Sequence, residues 1–417
     1  MDDVLSRAEG LARHSDSPDH YTRTWLTPAH QAASRQLQAW MREAGMEVRV
    51  DAVGSVIGRY ESSGSDPKRE VRGLTPAPRI MLGSHFDSVR NGGKYDGVLG
   101  ILVPIACVAE LHKRGERLPY AIEIAAFSDE EGARFQTSFL ASRAMLEGAE
   151  AMNSLLERRD ADGVSVAEAM RAAGLDPVRV DEARIDTKSL AAYVEVHIEQ
   201  GPVLLDAGRP LGVVTSIASG SRHLARVRGE AGHAGTVPMG MRRDALAAAA
   251  EMVLAVESQA KAAGGVGTVG ILTVADGTGN VIPGTVEFTI DLRGPDDATR
   301  ARLVAAVVGE LEAIAARRKV AVEVGKRHDV KAAPCAPWLQ DQLEASVRRA
   351  GCDPMRLPSG AGHDAMIMAE ATDVGMLFVR CGAGGVSHNP AETVTAEDVQ
   401  VAEHALLDFL RNFVVPA

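Results

Sequence analysis

Residues 79–97 constrain this chain more than any other stretch. Arg79-Ile80-Met81-Leu82 is an apolar run short enough for a buried strand, and a second apolar run over 98–111 has helical length. Between them lies Gly83-Ser84-His85-Phe86-Asp87-Ser88-Val89-Arg90-Asn91-Gly92-Gly93-Lys94-Tyr95-Asp96-Gly97. Strand, loop and helix in succession form the unit of an open α/β sheet, and such sheets bind ligands beyond the carboxyl ends of their strands. His85 and Asp87 are therefore predicted at a strand's C-terminal end and Asp96 at the mouth of a helix, on a loop that Gly92, Gly93 and Gly97 keep flexible. One imidazole and two carboxylates converging there suit a divalent metal. His85 offers a nitrogen, Asp96 can bridge two ions, and Asp87 can hold the other nitrogen of His85. Taken alone, the segment could equally be a polar turn with one surface histidine.

Other segments repeat the pattern. The continuous β-prone run 120–127 marks a strand covered on both faces, and it delivers Ser128-Asp129-Glu130-Glu131-Gly132 to the same sheet edge. The run 191–198 delivers His197, Glu199 and Gln200, and His388 follows a later strand. Imidazole and carboxylate without thiolate favour zinc, manganese or cobalt in a catalytic rather than a structural role. Neighbouring side chains on an extended end point to different sides. One of Glu130 and Glu131 can thus ligate a metal while the other serves as general base.

With 417 residues the chain exceeds one ordinary core, and two domains are expected. In the N-terminal part Thr27-Pro28 opens a helix that ends near Gly45, followed by strands over 46–50 and 55–60 and an exposed loop over 61–78. The pattern changes after Leu211: strand 213–228, an Ala-rich helix 245–263, strands 268–274 and 285–292, helix 297–317 and strand 320–324. That βαββαβ-type order predicts a compact α+β insert with a four-stranded antiparallel sheet and helices on one face. Helices over 338–350 and 363–370, a strand over 375–380 and a closing helix over 396–413 complete the first domain. A net charge of −11 without a Lys/Arg run argues against nucleic acid. No apolar run approaches the ~20 residues of a membrane helix. Cys107, Cys335, Cys352 and Cys381 lack any CxxC spacing and read as buried small hydrophobes in a reducing, cytoplasmic setting. The acidic start Met1-Asp2-Asp3 is unlike a signal peptide.

Several motifs together resemble the hydantoinase/carbamoylase branch of the M20 metallopeptidase family. They are Gly83-Ser84-His85-x-Asp87, Asn91-Gly92-Gly93-x-Tyr95-Asp96-Gly97, Asp129-Glu130-Glu131-Gly132-x-Arg134-Phe135 and His197-Ile198-Glu199-Gln200-Gly201-Pro202. Three more are Gly232-His233-Ala234-Gly235-Thr236-x-Pro238-Met239, Ser359-Gly360-Ala361-Gly362-His363-Asp364-Ala365 and Gly384-Gly385-x-Ser387-His388. They run in order along essentially the whole chain. The resemblance implies an α/β fold. Its mixed-sheet, dinuclear-metal catalytic domain is zinc-aminopeptidase-like (residues 1–212 and 329–417), with an inserted ferredoxin-like lid and dimerisation domain (213–328).

The same resemblance implies two divalent ions per subunit, zinc or manganese with cobalt as an alternative. One is held by His85 and His197, the other by Glu131 and His388, with Asp96 bridging and Asp87 behind His85. Glu130 matches the general base. His233 matches a histidine that crosses a homodimer into the partner's active site and stabilises an oxyanion. Asn280 and Arg293 match substrate-holding residues, the Arg293 fork suiting a carboxylate. Gln200, beside a metal ligand, reads a ureido or carboxylate group. Ser359 to Gly362, opening a helix, offers backbone N–H groups of Gly360 and Gly362 to an anion. At Ser219-Gly220-Ser221-Arg222-His223 the chain departs from many relatives, which carry a Gln before an Arg or Trp; Arg222 remains a candidate substrate contact. The implied reaction cleaves a ureido C–N bond with release of ammonia and carbon dioxide. Allantoate is the first expected substrate, going to ureidoglycine; N-carbamoyl-L-amino acids or β-ureidopropionate are the second. A peptidase fits the Ile198-to-Pro202 run less well, and the intact Glu130 opposes an inactive metal-binding scaffold.

Overall fold

A computed structural model describes residues 4–63 and 78–416, so most of the loop expected over 61–78 lies outside the described residues. The chain forms two compact units: Met1–Thr215, Cys335–Leu357 and Gly362–Ala417 in one, Ser216–Pro334 and Pro358–Ala361 in the other.

In the first unit the strands lie in the order Glu47–Val50, Val56–Tyr60, Ala121–Phe127, Arg79–His85, Leu190–Ile198, Val374–Val379 and Leu211–Ile217. The four from Ala121–Phe127 to Val374–Val379 are mutually parallel, while the flanking pairs are antiparallel. Arg79–His85 and Ala121–Phe127 are buried along their whole length. That is why they read as unbroken apolar runs, since helices cover both faces of a parallel sheet. The helix Leu99–Lys113 is apolar nearly all round because it lies inside this unit, and Pro104 sits within it without ending it. Leu82, Ile101, Ile122, Val196, Val379 and Leu406 belong to one buried cluster. Thr27 caps Pro28–Glu43 through its side chain on the His30 N–H. Gly45 ends that helix at φ +79°, where a Cβ would collide with the His112 ring.

Some elements carry weak sequence signals. The helix Val4–Ala12 buries only Val4, Ala8 and Leu11, too few apolar positions to stand out. Helices Leu140–Glu147 and Val166–Ala172 are shorter still.

The second unit is an antiparallel sheet in the order Leu272–Val274, Thr285–Gly294, Ser219–Arg228, Ala321–Val330, with Val266–Thr268 also paired to Thr285–Gly294. It has five strands, not four. The run expected as one strand over 268–274 is divided because the Ile271 N–H donates to the Thr289 hydroxyl instead of the backbone ladder. Likewise the run over 213–228 breaks at Ala218, whose N–H donates to Ser359 O, separating Leu211–Ile217 from Ser219–Arg228. Helices Ala245–Ala263 and Asp297–Arg318 bury Met252, Val256, Leu303, Val307 and Leu311 with Val227, Val286, Phe288 and Ile290 of the sheet. The alternation along Thr285–Gly294, inward residues fully buried and outward ones not, is that of a sheet with one covered face. Among the described residues no helix is long and apolar enough to cross a membrane.

Candidate metal centre and active site

Four parallel neighbours place their C-terminal ends on one edge of the first unit. That edge collects His85 as the last residue of its strand, Glu130 and Glu131 just beyond Phe127, His197 beside the end of its strand, and His388 in the loop after Val379. Asp96 joins them from the loop ahead of Leu99–Lys113. Ligand atoms of His85, Asp96 and His197 lie within 4.8 Å of one another, as do those of Asp96, Glu131 and His388, and those of His85, Glu130 and Glu131. Asp96 belongs to two of these sets. Its Oδ1 is 3.4 Å from His197 Nε2 and its Oδ2 is 3.2 Å from His388 Nε2, while His388 Nε2 is also 3.4 Å from Glu131 Oε1.

Hydrogen bonds fix the imidazoles. His197 Nδ1 donates to Ile198 O at 2.9 Å, so Nε2 carries no proton; it accepts the Gly97 N–H at 3.2 Å and lies 3.4 Å from Asp96 Oδ1. His85 Nδ1 lies 3.3 Å from Asp87 Oδ1, which leaves Nε2 for the cluster. Asp87 does more than orient His85: its two oxygens accept the N–H groups of Glu130 and Glu131 at 3.0 and 3.1 Å. One buried carboxylate thereby sets the histidine and both glutamates together. The loop is also tighter than its glycines suggested. Gly97 adopts φ +66° with the His85 ring packed where a Cβ would stand, and Gly93 is packed against the Glu392 carboxylate. Close approach, not flexibility, requires glycine there.

The electrostatics are those of a donor set short of positive charge. Burial, and then the charges of Glu131 and Asp364, hold Glu130 well above the usual carboxylate range against the opposing charge of His85. Burial and Asp96 push Glu131 up to about 7. His388 rises to about 9 beside Asp96, and burial lowers His197 to about 4. Asp96 Oδ2 and Gln200 Oε1 are buried without an aligned hydrogen-bond partner among the described residues. Clustered carboxylates that resist ionisation and imidazole nitrogens turned toward them fit divalent cations at this edge. His85, Asp96 and His197 would hold one, and Asp96, Glu131 and His388 the other. Gln200 stands beside both, its Nε2 2.9 Å from Asp96 Oδ1 and 3.4 Å from His388 Nε2.

The remaining candidates lie mostly in the second unit. His233 and Val281 pair in a two-residue ladder, and Ala234 N–H donates to Asn280 O at 3.0 Å, so His233 and Asn280 share one exposed tip. The Gly235 N–H donates to His233 Nδ1 at 3.1 Å, leaving the proton on Nε2. The Arg293 fork is occupied: Nε and Nη2 lie on Asp291 at 3.0 and 3.5 Å, and Nη1 donates to Gly360 O at 2.7 Å. Arg222 contacts the same Asp291 at 3.0 Å and is mostly exposed. The helix expected to open at Ser359 to Gly362 starts later. Ser359 ends a strand, and the short helix Asp364–Met368 starts beyond this segment. The N–H of Ala365 in its first turn already donates to Glu195 Oε2, so the protein's own carboxylate fills the helix start. Gly362 packs against the Phe139 ring. Cys352 is only half-buried, unlike the other three cysteines.

Sequence reasoning missed Glu195, His363, Asp364 and Glu392. Glu195 is buried beneath the cluster, accepting from Ser84 Oγ at 2.7 Å, and His363 packs edge-on against His197 with centroids 4.5 Å apart. A charged residue two positions before His197 in an otherwise apolar strand was the available signal, because residues i and i+2 share a face.

The chain resembles known proteins over its whole length. It is 39% identical over 450 residues to a probable allantoate deiminase of Oryza sativa subsp. japonica, covering 100% of this chain and 89% of that one. It is 41% identical over 386 residues to an N-carbamoyl-L-amino acid amidohydrolase of Geobacillus stearothermophilus, covering 92% and 91%. Among solved structures, an amidase of the hydantoinase/carbamoylase family from Burkholderia multivorans superposes with a TM-score of 0.88 at 31% identity, covering 98% and 96% of the two chains. The sequence model for peptidase family M20/M25/M40 matches residues 81–412, a span that contains each of the imidazoles and carboxylates gathered at the sheet edge, and this chain belongs to that family.

Proposed function

We propose that this protein is a dinuclear metal-dependent amidohydrolase that cleaves a ureido C–N bond, with allantoate as its first substrate. One observation carries the reading: the two oxygens of the buried Asp96 face two different histidines, His197 and His388, which suits one carboxylate shared between two ions. Zinc or manganese, or cobalt in their place, matches the nitrogen and oxygen donors. When bound, such ions supply Lewis-acid polarisation of a carbonyl and acidify water.

The chain's own residues do the rest. Glu130 is fixed through its backbone by Asp87 and lies beside His85 and Glu131, where it takes a proton from water and returns it to the departing nitrogen. Glu131, the member of the pair that approaches His388, serves as ligand. Gln200 orients the ureido group, and Arg293, with Asn280 and Arg222, holds the substrate carboxylate after exchanging its contact with Asp291. His233 stabilises the oxyanion with the proton on its Nε2, reaching the active site of a second copy in a homodimer; its exposed position at the tip of the second unit supports this. That unit, residues 213–328 by sequence, acts as lid and dimerisation domain. Free cysteines, three of them buried, support a cytoplasmic setting.

N-carbamoyl-L-amino acids are the second reading, supported by the likeness to the Geobacillus enzyme's chain. Ammonia release from allantoate, N-carbamoyl-L-amino acids and β-ureidopropionate, with zinc, manganese or cobalt added to metal-free protein, tests both. Metal-dependent ammonia release from allantoate is expected. Hydrolysis of dipeptides with no ammonia from any ureido acid would overturn the proposal.

A further inference from the structure

Glu392 lies outside every candidate ligand set, yet its carboxylate spans the two loops that supply Asp96 and His388. Oε1 accepts the backbone N–H of Tyr95 at 3.0 Å and of Asp96 at 3.1 Å. Oε2 accepts the Ser387 hydroxyl at 2.7 Å. The carboxylate fills the space where Gly93 lacks a Cβ, and the side chain is nearly fully buried. Neither loop is held by a strand ladder at these positions. His388 itself adopts φ +53°, and Ala383, Gly384 and Gly385 before it are also left-handed. A non-glycine residue persists in that region only where its surroundings over-determine it, and the Glu392–Ser387 bond is the tie next to His388. By contrast His85 and His197 stand on sheet strands, and no Glu392 bond reaches them.

We propose that Glu392 is a positioning residue that sets the distance between Asp96 and His388, and so governs the affinity of the ion those two share with Glu131 more than that of the ion at His85, Asp96 and His197, where only Asp96 lies within its reach. This rests on the dinuclear reading above. Outer groups that orient metal ligands commonly change affinity by ~10–100-fold.

The test is titration of the metal-free full-length protein with Mn²⁺ by calorimetry, with bound metal counted by elemental analysis. The parent should bind two ions. Glu392→Ala should bind one ion within a few-fold of parental affinity and the second ~10–100-fold more weakly, with turnover returning under excess Mn²⁺. Glu392→Gln keeps an oxygen for both N–H groups and an amide that can donate to Ser387 Oγ, so it should hold the second ion within a few-fold of the parent. Ser387→Ala, which leaves the rest of the network in place, should weaken the second ion several-fold and cover the case in which Glu392→Ala does not fold. Equal affinities in Glu392→Ala and the parent would overturn the proposal. So would parallel loss of both ions, a Glu392→Gln no better than Glu392→Ala, or an unaffected Ser387→Ala. A parent that binds a single ion would instead refute the dinuclear reading, and the proposal with it.

Discussion

The sheet edge of the first unit and the polar tip of the second solve different problems with similar side chains. At the edge, His85, Asp96 and His197 are each less than 5% exposed, with parallel strand ends placing the two histidines and the loop before Leu99–Lys113 placing Asp96. Their environment holds Glu130 and Glu131 high and His197 low. At the tip, His233 and Asn280 are exposed, His233 on a two-residue ladder and Asn280 just ahead of its partner strand. Arg293 spends its fork on Asp291. The buried set is held by the fold itself, through strand ends and the bonds of Asp87 to Glu130 and Glu131, as electrostatic catalysis demands. The exposed set is held only by contacts at the surface. On the proposed function, chemistry belongs to the first region, and recognition and completion to the second.

The hardest way to break that division is Glu130→Gln. If the base is at the edge, this variant keeps both ions and loses on the order of 10²–10⁴ in rate, read by ammonia release beside elemental analysis. A missing ion would mean that the roles of Glu130 and Glu131 are reversed. His233→Ala follows, with an expected loss on the order of 10²–10³ in kcat and unchanged metal content, the usual effect of removing one oxyanion donor. The two variants also test completion between subunits. Mixed after reversible dissociation, random pairing makes about half of the dimers hybrid. Each hybrid has one site with both Glu130 and a partner's His233, so roughly a quarter of parental activity should return. Hybrid dimers that stay inactive would confine His233 to its own subunit or remove it from catalysis.

The contrast also explains what could be read from the sequence. Strands with both faces covered leave continuous apolar runs, and residues just past them must lie at the sheet edge, so His85, Glu130, Glu131 and His197 were legible from position alone. Asp96 and His388 were less sharply placed, one at the mouth of a helix and one somewhere after a later strand, because loops carry no periodicity. Glu392 was not legible at all. Beyond the nearby Ser387, its partners are backbone N–H groups at Tyr95 and Asp96, nearly three hundred residues away in sequence, and nothing in a local pattern announces a bond to a distant backbone. The tip fared differently. Its elements followed from periodicity, but the break at Ile271 depends on a single threonine hydroxyl. The occupied fork of Arg293 depends on Asp291, two residues away on the same face of one strand, a pairing visible in sequence and passed over.

Substitutions within that pairing sharpen the account of recognition. Arg293→Lys keeps the charge but loses the planar fork, and kcat/KM on the best ureido acid should fall on the order of tenfold or more with Tm nearly unchanged. Arg222→Ala should cost far less, because Arg222 is mostly solvated and its ion pair with Asp291 is the kind worth about 0–1 kcal/mol. Equal losses in the two variants would show that Asp291 merely gathers positive charge and that fork geometry is irrelevant.

The smallest effect concerns a buried carboxylate of the first unit with no metal-type partner. Asp51 Oδ1 accepts the N–H groups of Val53 and Ser55 at 3.0 and 2.8 Å, while Oδ2 is buried without a hydrogen-bond partner among the described residues. Burial raises its pKa from 3.8 to about 6, against the opposing bonds from Ser55 and Val53. The folded state therefore holds this proton more tightly than the unfolded state does. The associated stability is complete below about 4, declines as pH rises through about 6, and is gone above it. Asp51→Asn keeps the accepting oxygen and removes the charge. It should raise stability at pH 8 by on the order of 1–3 kcal/mol, with the gain vanishing near pH 4 and activity unchanged throughout. Thermal melts of both proteins from pH 4 to 8 measure this directly. If Asp51→Asn is no more stable than the parent at pH 8, burial alone does not impose the charge stress seen at the sheet edge. The high Glu130 and Glu131 would then owe more to crowding by Asp87, Asp96 and Asp364 than to loss of water.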